Sequence, residues 1–201
     1  MTLEESGNFF ESIYQRGRGN EEQIPWAEMK TNKFLAEYLE QNSAKGKAVV
    51  IGCGLGDDAV ALEDAGFEVT AIDISETAIE WCKKRFPDSE VDFIVQDIFE
   101  LPQQMRGSYD FVFESRTIQS LALEHRNKII GEISSLTAPQ GKILVLANGK
   151  NEGERFNGPP WPLTSNELRL FTNYGLNELE FSIYAEDSKL SSLKLRALFK
   201  K

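Results

Sequence analysis

Residues 48–73, AVVIGCGLGDDAVALEDAGFEVTAID, constrain the fold more than any other stretch of the chain. An apolar run, Ala48 to Ile51, enters a glycine cluster at Gly52, Gly54 and Gly56. A helix-compatible segment follows, and a second run rich in β-branched residues ends on Asp73. Strand, tight turn, helix and parallel strand ending on an acid make the first unit of a nucleotide-binding sheet. The helix is expected to start directly after the last glycine, with Asp57 or Asp58 capping its exposed N–H groups, and to stop at Gly66.

Strand-like and helix-like segments then alternate. Ser75 is suited to cap a helix whose Ala78, Ile79 and Cys82 form the buried stripe and which Pro87 ends. Val91 to Gln96 is a third strand with Asp97 at its carboxyl end, and Tyr109 to Phe113 is a fourth, followed directly by Glu114 and Ser115. Ile129, Ile130, Ile133 and Leu136 mark one face of another helix, and Pro139 to Gly141 is expected to turn into a fifth strand, Lys142 to Ala147. The long loop Asn148 to Pro162 leads to a capping box, Thr164 with Glu167, which opens a last helix ending at Gly175. Leu176 to Ala185 and Leu190 to Phe199 read as a closing hairpin. The alternation implies an α/β fold: a Rossmann-like, mostly parallel sheet with helices on both faces and an antiparallel C-terminal hairpin.

Upstream, Phe9, Phe10, Ile13 and Tyr14 have helical spacing across residues 2–14; Gln15 to Gln23 reads as a loop ending at Pro25 and Trp26, and Met29 to Gln41 as an amphipathic helix. The aromatics of residues 1–28 either cover the end of the sheet or form a lid over a bound ligand. The 201 residues suit a single domain, because a chain of that length buries roughly 70% of its unfolded surface.

Several function classes are disfavoured by composition. A net charge of −10 opposes counterion-release binding to nucleic acid. No apolar run approaches the ~20 residues that span a bilayer, and the acidic N-terminus lacks the basic region of a signal peptide. Two cysteines and one histidine without ligand spacing give no metal site and fit a reduced, cytoplasmic setting. A small-molecule partner and a monomer or weak dimer are expected.

The ligand of the glycine turn follows from the acids around it. Gly54, Gly56 and Ala59 satisfy the loose G-x-G-x-x-A fingerprint shared by dinucleotide sites. A pyrophosphate on the helix N-terminus would, however, meet Asp57 and Asp58, whereas a sulfonium cofactor carries no phosphate. Asp73 stands where a carboxylate accepts both ribose hydroxyls, which excludes a 2′-phosphate. Asp97 is either placed to receive an adenine amino group or is a solvated loop acid.

The segments VIGCGLGD, AIDIS and QDIF, in this order, resemble those of the class I S-adenosylmethionine-dependent methyltransferases. The resemblance covers nearly the whole chain and implies a seven-stranded sheet with an antiparallel last strand. It also implies Gly52, Gly54 and Gly56 at the methionine part of the cofactor, Asp73 at the ribose, and Asp97 with Ile98 at the adenine; Trp26, Cys53, Ile74 and Glu114 complete the candidate cofactor set. Ile51 departs from the family, many members of which carry an acid before the first glycine, and this weakens the inference for the cofactor's amino group. The IPWAE and GPPWPLTSNEL segments are similar to those of the thiopurine, thiol and tellurite-resistance methyltransferases, which implies a soft nucleophile such as a thiol, selenol or halide.

No catalytic residue follows from the sequence, and a thiolate acceptor needs no strong base. His125, the only histidine, sits in a polar stretch and reads as a surface residue rather than a base. Arg116 either steers an anionic acceptor or pairs on the surface, and Trp26 and Trp161 either wall an acceptor pocket or pack the core. Cys53 reads as a packing residue. Two competing functions are a catalytically silent S-adenosylmethionine-binding domain acting through a protein partner, and an NAD-dependent oxidoreductase.

Overall fold

Chain order and sheet order differ in the way expected of a doubly wound sheet. The computed structural model describes residues 2–43, 45–185 and 193–201. Its strands are β1 (Gly46–Ile51), β2 (Phe67–Asp73), β3 (Asp92–Val95), β4 (Tyr109–Ser115), β5 (Thr137–Gly149), β6 (Asn177–Ala185) and β7 (Leu193–Lys200). They form one seven-stranded sheet in the order β3-β2-β1-β4-β5-β7-β6. β1 with β2, β2 with β3 and β4 with β5 are parallel, whereas β7 runs antiparallel to both β5 and β6. The expected terminal hairpin is therefore present, with residues 190–192 of its second expected strand outside the described residues.

The helices are α1 (Leu3–Gly17), α2 (Lys33–Gln41), α3 (Asp57–Asp64), α4 (Glu76–Arg85), α5 (Arg126–Leu136) and α6 (Ser165–Leu168). α3 packs on β1 and β2, α4 on β2 and β3, and α5 on β4 and β5. Internal packing divides the chain into two compact units, Thr2–Leu101 and Pro102–Lys201. Leu35, Ile51, Leu62 and Ile72 are fully buried in the first. Phe111, Phe113, Ile129, Ile130, Ile133, Phe171 and Phe199 are fully buried in the second, each such aliphatic or aromatic side chain contributing ~1.5–3 kcal/mol.

Several boundaries differ from expectation for local reasons. α1 runs to Gly17, past the expected end at Tyr14. Gln15 and Arg16 hydrogen-bond back to Glu11 and Ser12 one turn earlier, and Gly17 lies where a Cβ would stand 2.6 Å from Ile24. The segment expected to be a loop thus contains the end of a helix and a 3-10 turn, Glu21–Gln23. α2 begins at Lys33 rather than Met29 because the Asn32 side chain accepts from the Phe34 N–H (3.0 Å) and caps it. β4 continues through Glu114 and Ser115, and β5 absorbs the expected Pro139–Gly141 turn into a 13-residue strand with irregular register beside Tyr109. The Thr164–Glu167 capping box is present, but only one α-helical turn follows it before a 3-10 segment, Arg169–Tyr174, closed by Gly175.

Candidate cofactor site

β1 delivers the chain into a turn in which Gly52, Gly54 and Gly56 all have positive φ. The Cys53 N–H donates to the Ile72 carbonyl of β2 (2.9 Å) and the Gly56 N–H to the Cys53 carbonyl (3.0 Å), so the turn is tied to the neighbouring strand. Gly56 caps α3 at φ 91°, and a Cβ there would stand 3.1 Å from Cys82 Sγ and 3.1 Å from the Phe93 ring. Its role is tight packing under the turn. Cys53 is buried, and its thiol, hydrogen-bonded with Cys82, is pushed well above its ordinary pKa by that bond and by burial, which keeps it a neutral packing group.

Asp73 ends β2 beside this turn. Its Oδ2 accepts the Gly54 N–H (3.0 Å) and its Oδ1 the Ser75 N–H (2.9 Å). Each oxygen keeps a lone pair for a further donor, which suits a vicinal diol such as a ribose. Burial pushes the carboxyl up to about 6; the N–H groups of Ser75, Gly54 and Ile74 pull the other way, and the Glu11 charge adds a smaller push. Ile74, the next residue, is exposed. Asp97 follows β3 half-buried and accepts the Phe99 N–H through Oδ1 (2.8 Å), with the side chain of Ile98 buried beside it.

Neither Asp57 nor Asp58 caps α3, contrary to expectation. Arg85 at the end of α4 pairs with both oxygens of Asp57 (2.8 and 2.9 Å) and also reaches the Leu55 carbonyl, while Asp58 accepts the Asn32 N–H (2.7 Å). The Asp57 charge is therefore largely met within the fold, and the case against a pyrophosphate rests less on it than the sequence implies.

α1 lies against the N-terminus of α4. Glu11 accepts from Ser75 Oγ (2.6 Å), Thr77 Oγ1 (2.5 Å) and the Thr77 N–H (3.2 Å), satisfying donors at the helix end that begins just after Asp73. One turn on, Tyr14 is 3% exposed and its hydroxyl accepts the Trp26 indole N–H (2.7 Å). Trp26 is half-buried and packs edge-on to both Phe10 and Tyr14. A methyl group built on Gly54 would stand 3.4 Å from the Tyr14 hydroxyl, so the N-terminal segment reaches the glycine turn itself. Sequence reasoning placed Tyr14 only on a helix face and missed Glu11, because both depend on contacts more than 10 residues away.

The second unit holds the remaining candidates. Glu114 is fully buried at the carboxyl end of β4; Oε1 accepts the Ile118 N–H (2.9 Å) and Oε2 has no hydrogen-bond partner among the described residues. Burial pushes its carboxyl up to about 7, against the Ile118 and Thr117 N–H groups and the Arg116 charge. Arg116 itself has a left-handed backbone, φ 69°. Trp161 is half-buried and clamped through its backbone: its N–H donates to the Gln119 carbonyl (2.7 Å) and its carbonyl accepts from Arg126 Nη2 (2.7 Å). Arg126 is 3% exposed and also pairs with Glu167 (2.7 Å), while Gln119 accepts the Asn148 N–H (2.6 Å). Neither Gln119 nor Arg126 carries a spacing signal, and the sequence did not reveal them. His125 stands beside Glu124 at 3.5 Å with its side chain 20% exposed. No His, Cys, Asp and Glu cluster fit for a metal occurs among the described residues, and none of their helices is long and apolar enough to cross a membrane.

Comparison with known proteins places this geometry. Residues 49–145, from the first strand into the fifth, match the methyltransferase domain family. A probable thiol methyltransferase of Arabidopsis thaliana is 27% identical over 172 residues, 83% of this chain and 72% of the relative. A thiopurine S-methyltransferase of Legionella pneumophila is 25% identical, covering 81% of this chain and 78% of the relative. Among solved structures, a Bradyrhizobium japonicum N-methyltransferase in complex with S-adenosylhomocysteine superposes with a TM-score of 0.74 at 18% identity, over 96% of this chain and 98% of that one. A Burkholderia thailandensis didemethyltoxoflavin N1-methyltransferase gives 0.75 at 19% identity, over 97% of this chain and 86% of that one. The sheet order, the family match over residues 49–145 and these relatives together support a class I S-adenosylmethionine-dependent methyltransferase of the thiol and thiopurine group.

Proposed function

We propose that the chain methylates a small, soft nucleophile, a thiol, selenol or halide-like anion, and that residues 1–201 act as one catalytic domain with residues 1–28 as its lid. The observation that carries the site assignment is Asp73: a buried carboxylate held by two backbone N–H groups, with an acceptor position left on each oxygen. That donor demand fits the ribose of S-adenosylmethionine. The cofactor supplies, when bound, a methyl group activated by a sulfonium sulfur. The remaining roles fall to the residues around it: Gly52, Cys53, Gly54 and Gly56 border the methionine part, Ile74 flanks the ribose, and Asp97 and Ile98 flank the adenine. Trp26 and Glu114 are further cofactor-side candidates, and Trp26, Arg116 and Trp161 acceptor-side ones.

The choice of a soft acceptor is supported by the relatives. Besides the thiol and thiopurine enzymes, a Brassica oleracea thiocyanate methyltransferase is 25% identical over 80% of this chain. An anionic acceptor reaches the transferable methyl without surrendering a proton, so alignment and exclusion of water are the main tasks left to the protein. Arg116 would steer the anion, and Trp161, fixed through its backbone, would wall the acceptor from water.

The test pairs calorimetry with a turnover panel. S-adenosylhomocysteine should bind, Asp73→Ala should weaken it severely, and methyl transfer should be fastest to thiols, hydrosulfide, selenols or thiocyanate. Turnover confined to amine or phenol acceptors would overturn the soft-nucleophile assignment, and binding without turnover across the whole panel would mark a cofactor-binding domain instead.

A further inference from the structure

Two buried carboxamides in the second unit have their oxygens taken and their nitrogens open. Gln119 lies in the 3-10 turn Ile118–Ser120 just after β4, and Asn148 near the end of β5; each is 3% exposed. Gln119 Oε1 accepts the Asn148 N–H at 2.6 Å, and Asn148 Oδ1 accepts the Lys194 ammonium at 2.5 Å. A backbone N–H and an ammonium only donate, so both oxygens are fixed and each amide NH2 must face the other way. Neither nitrogen has a hydrogen-bond partner among the described residues, and neither is sealed from the surface. Donors on such buried side chains are nearly always matched, so two unmatched ones, one hydrogen bond apart, call for a ligand. Their place in the fold agrees: β4 and β5 are parallel neighbours, and ligands of such sheets gather beyond the carboxyl ends of the strands. The loop that carries Trp161 is laid across the same two residues, the Trp161 N–H donating to the Gln119 carbonyl (2.7 Å) and the Leu163 N–H to the Asn148 carbonyl (2.9 Å).

We propose that Gln119 Nε2 and Asn148 Nδ2 hold a carboxylate carried by the methyl acceptor, so that the favoured acceptor is a small mercaptocarboxylate. An amide nitrogen only donates, and the ligand must therefore bring acceptor atoms. The Lys194 charge on Asn148 strengthens the pull on an anion and opposes an ammonium. Two donors match the two oxygens of a carboxylate, whereas hydrogen bonds to the nucleophilic sulfur itself would stabilise the ground state and slow its attack. The assignment rests on the soft-acceptor reading above for the reaction, but not for the binding of the carboxylate.

The probes are mercaptoacetate, ethanethiol and cysteamine as acceptors, with (methylthio)acetate and ethyl methyl sulfide as unreactive ligands. Asn148→Asp and Gln119→Glu keep the oxygen that the fold uses and replace the NH2 donor by a negative oxygen. Each should lower the mercaptoacetate-to-ethanethiol ratio of kcat/KM at least about tenfold, chiefly through KM, and raise the cysteamine-to-ethanethiol ratio. Differences in intrinsic thiol reactivity cancel between parent and variant, and a merely structural role would depress all three acceptors together. Ratios unmoved in both variants overturn the assignment. Should neither variant fold, NMR of the unaltered, nitrogen-labelled protein decides without any turnover. The side-chain NH2 resonances of Gln119 and Asn148 should shift with (methylthio)acetate and not with ethyl methyl sulfide; resonances that stay still, or move equally for both ligands, refute the carboxylate site. Selective shifts in a protein that methylates no thiol would sink the soft-acceptor reading and leave the carboxylate site standing. Thiol turnover without selective shifts would sink the carboxylate site alone.

Discussion

The Glu11 carboxylate accepts a 2.6 Å hydrogen bond from the hydroxyl of Ser75, 64 residues further along the chain. The same Ser75 hydroxyl caps α4 by accepting the Ala78 N–H, and the Ser75 N–H holds Asp73. One residue thus links the N-terminal helix, the start of α4 and the acid proposed to hold the ribose. Burial pushes the Glu11 carboxyl up, but the bonds from Ser75 and Thr77 outweigh it and hold the group below its ordinary pKa. A depressed carboxyl stabilises the fold above the ordinary carboxylate range and loses that contribution as the pH falls through it. Glu11→Ala should therefore cost about 2 kcal/mol near neutral pH and raise amide exchange across residues 3–17. Arg18→Ala should have little effect, since Arg18 meets Glu80 with both side chains about half exposed. Equal exchange in the two variants would show that Glu11 does not hold the helix.

Asp73 sets stability against function. Its carboxyl is raised from 3.8 to about 6, so the folded state holds this proton more tightly than the unfolded chain does. Stability of the ligand-free protein should decline as the pH rises between those values and level off above about 6, a loss of about 3 kcal/mol in all from this group. Asp73→Asn should flatten that slope in urea titrations and weaken S-adenosylhomocysteine, and because its amide nitrogen cannot accept, it leaves one of the Gly54 and Ser75 N–H groups without its acceptor at every pH. A slope between pH 4 and 6 in Asp73→Asn equal to that of the parent would show that this carboxyl does not carry the pH dependence.

Glu114 carries the same sign in the other unit. Its carboxyl rises from 4.5 to about 7, chiefly by burial, so its contribution to stability also falls as the pH climbs through that interval. Glu114→Gln keeps an oxygen for the Ile118 N–H and removes the buried charge. At pH 8 it should gain about 2 kcal/mol, with little change at pH 5. Measuring unfolding at both values decides the matter: a variant less stable at pH 8 than at pH 5, relative to the parent, would overturn the assignment.

The features legible in the sequence are those set within a few residues. Ser75 capping α4, the Thr164–Glu167 box and the acid closing β2 each follow from a side chain bonding to its own neighbourhood, or from strand period and length. Where partners are distant, local pattern is silent. Asp57 reads as a bare negative charge until Arg85, 28 residues on, is folded against it. Gly17 and Gly19 read as loop glycines, yet Gly17 ends a helix where Ile24 leaves no room for a Cβ. Tyr14 is indistinguishable from any apolar face residue until Trp26 is seen to occupy its oxygen. Strand period and length therefore place the candidate acids Asp73 and Asp97 at strand ends, whereas the side chains that pack and bond around them come from distant parts of the chain and leave no local pattern.

The clamp on Trp161 is the clearest case of a distant partner and is open to direct measurement. Arg126 is 3% exposed, donates to the Trp161 carbonyl and pairs with Glu167, whose side chain is 28% exposed. Replacing it by Met keeps the length of the side chain and removes both interactions. Breaking such a nearly buried pair from one side leaves an uncompensated charge, here partly relieved by water at Glu167, and should cost about 3 kcal/mol. Arg169→Met removes an ion pair of similar length, 2.8 Å to Glu178, but Arg169 is 45% exposed and the cost should stay below about 1 kcal/mol. With fluorotryptophan incorporated, the Trp161 resonance should broaden or shift in Arg126→Met and hold still in Arg169→Met. If Trp161 walls the acceptor, Arg126→Met should also raise the KM for the acceptor more than it lowers S-adenosylhomocysteine affinity. Comparable stability losses in the two variants, or an unmoved Trp161 resonance, would mean that the loop is held by Gln119 and its own packing instead.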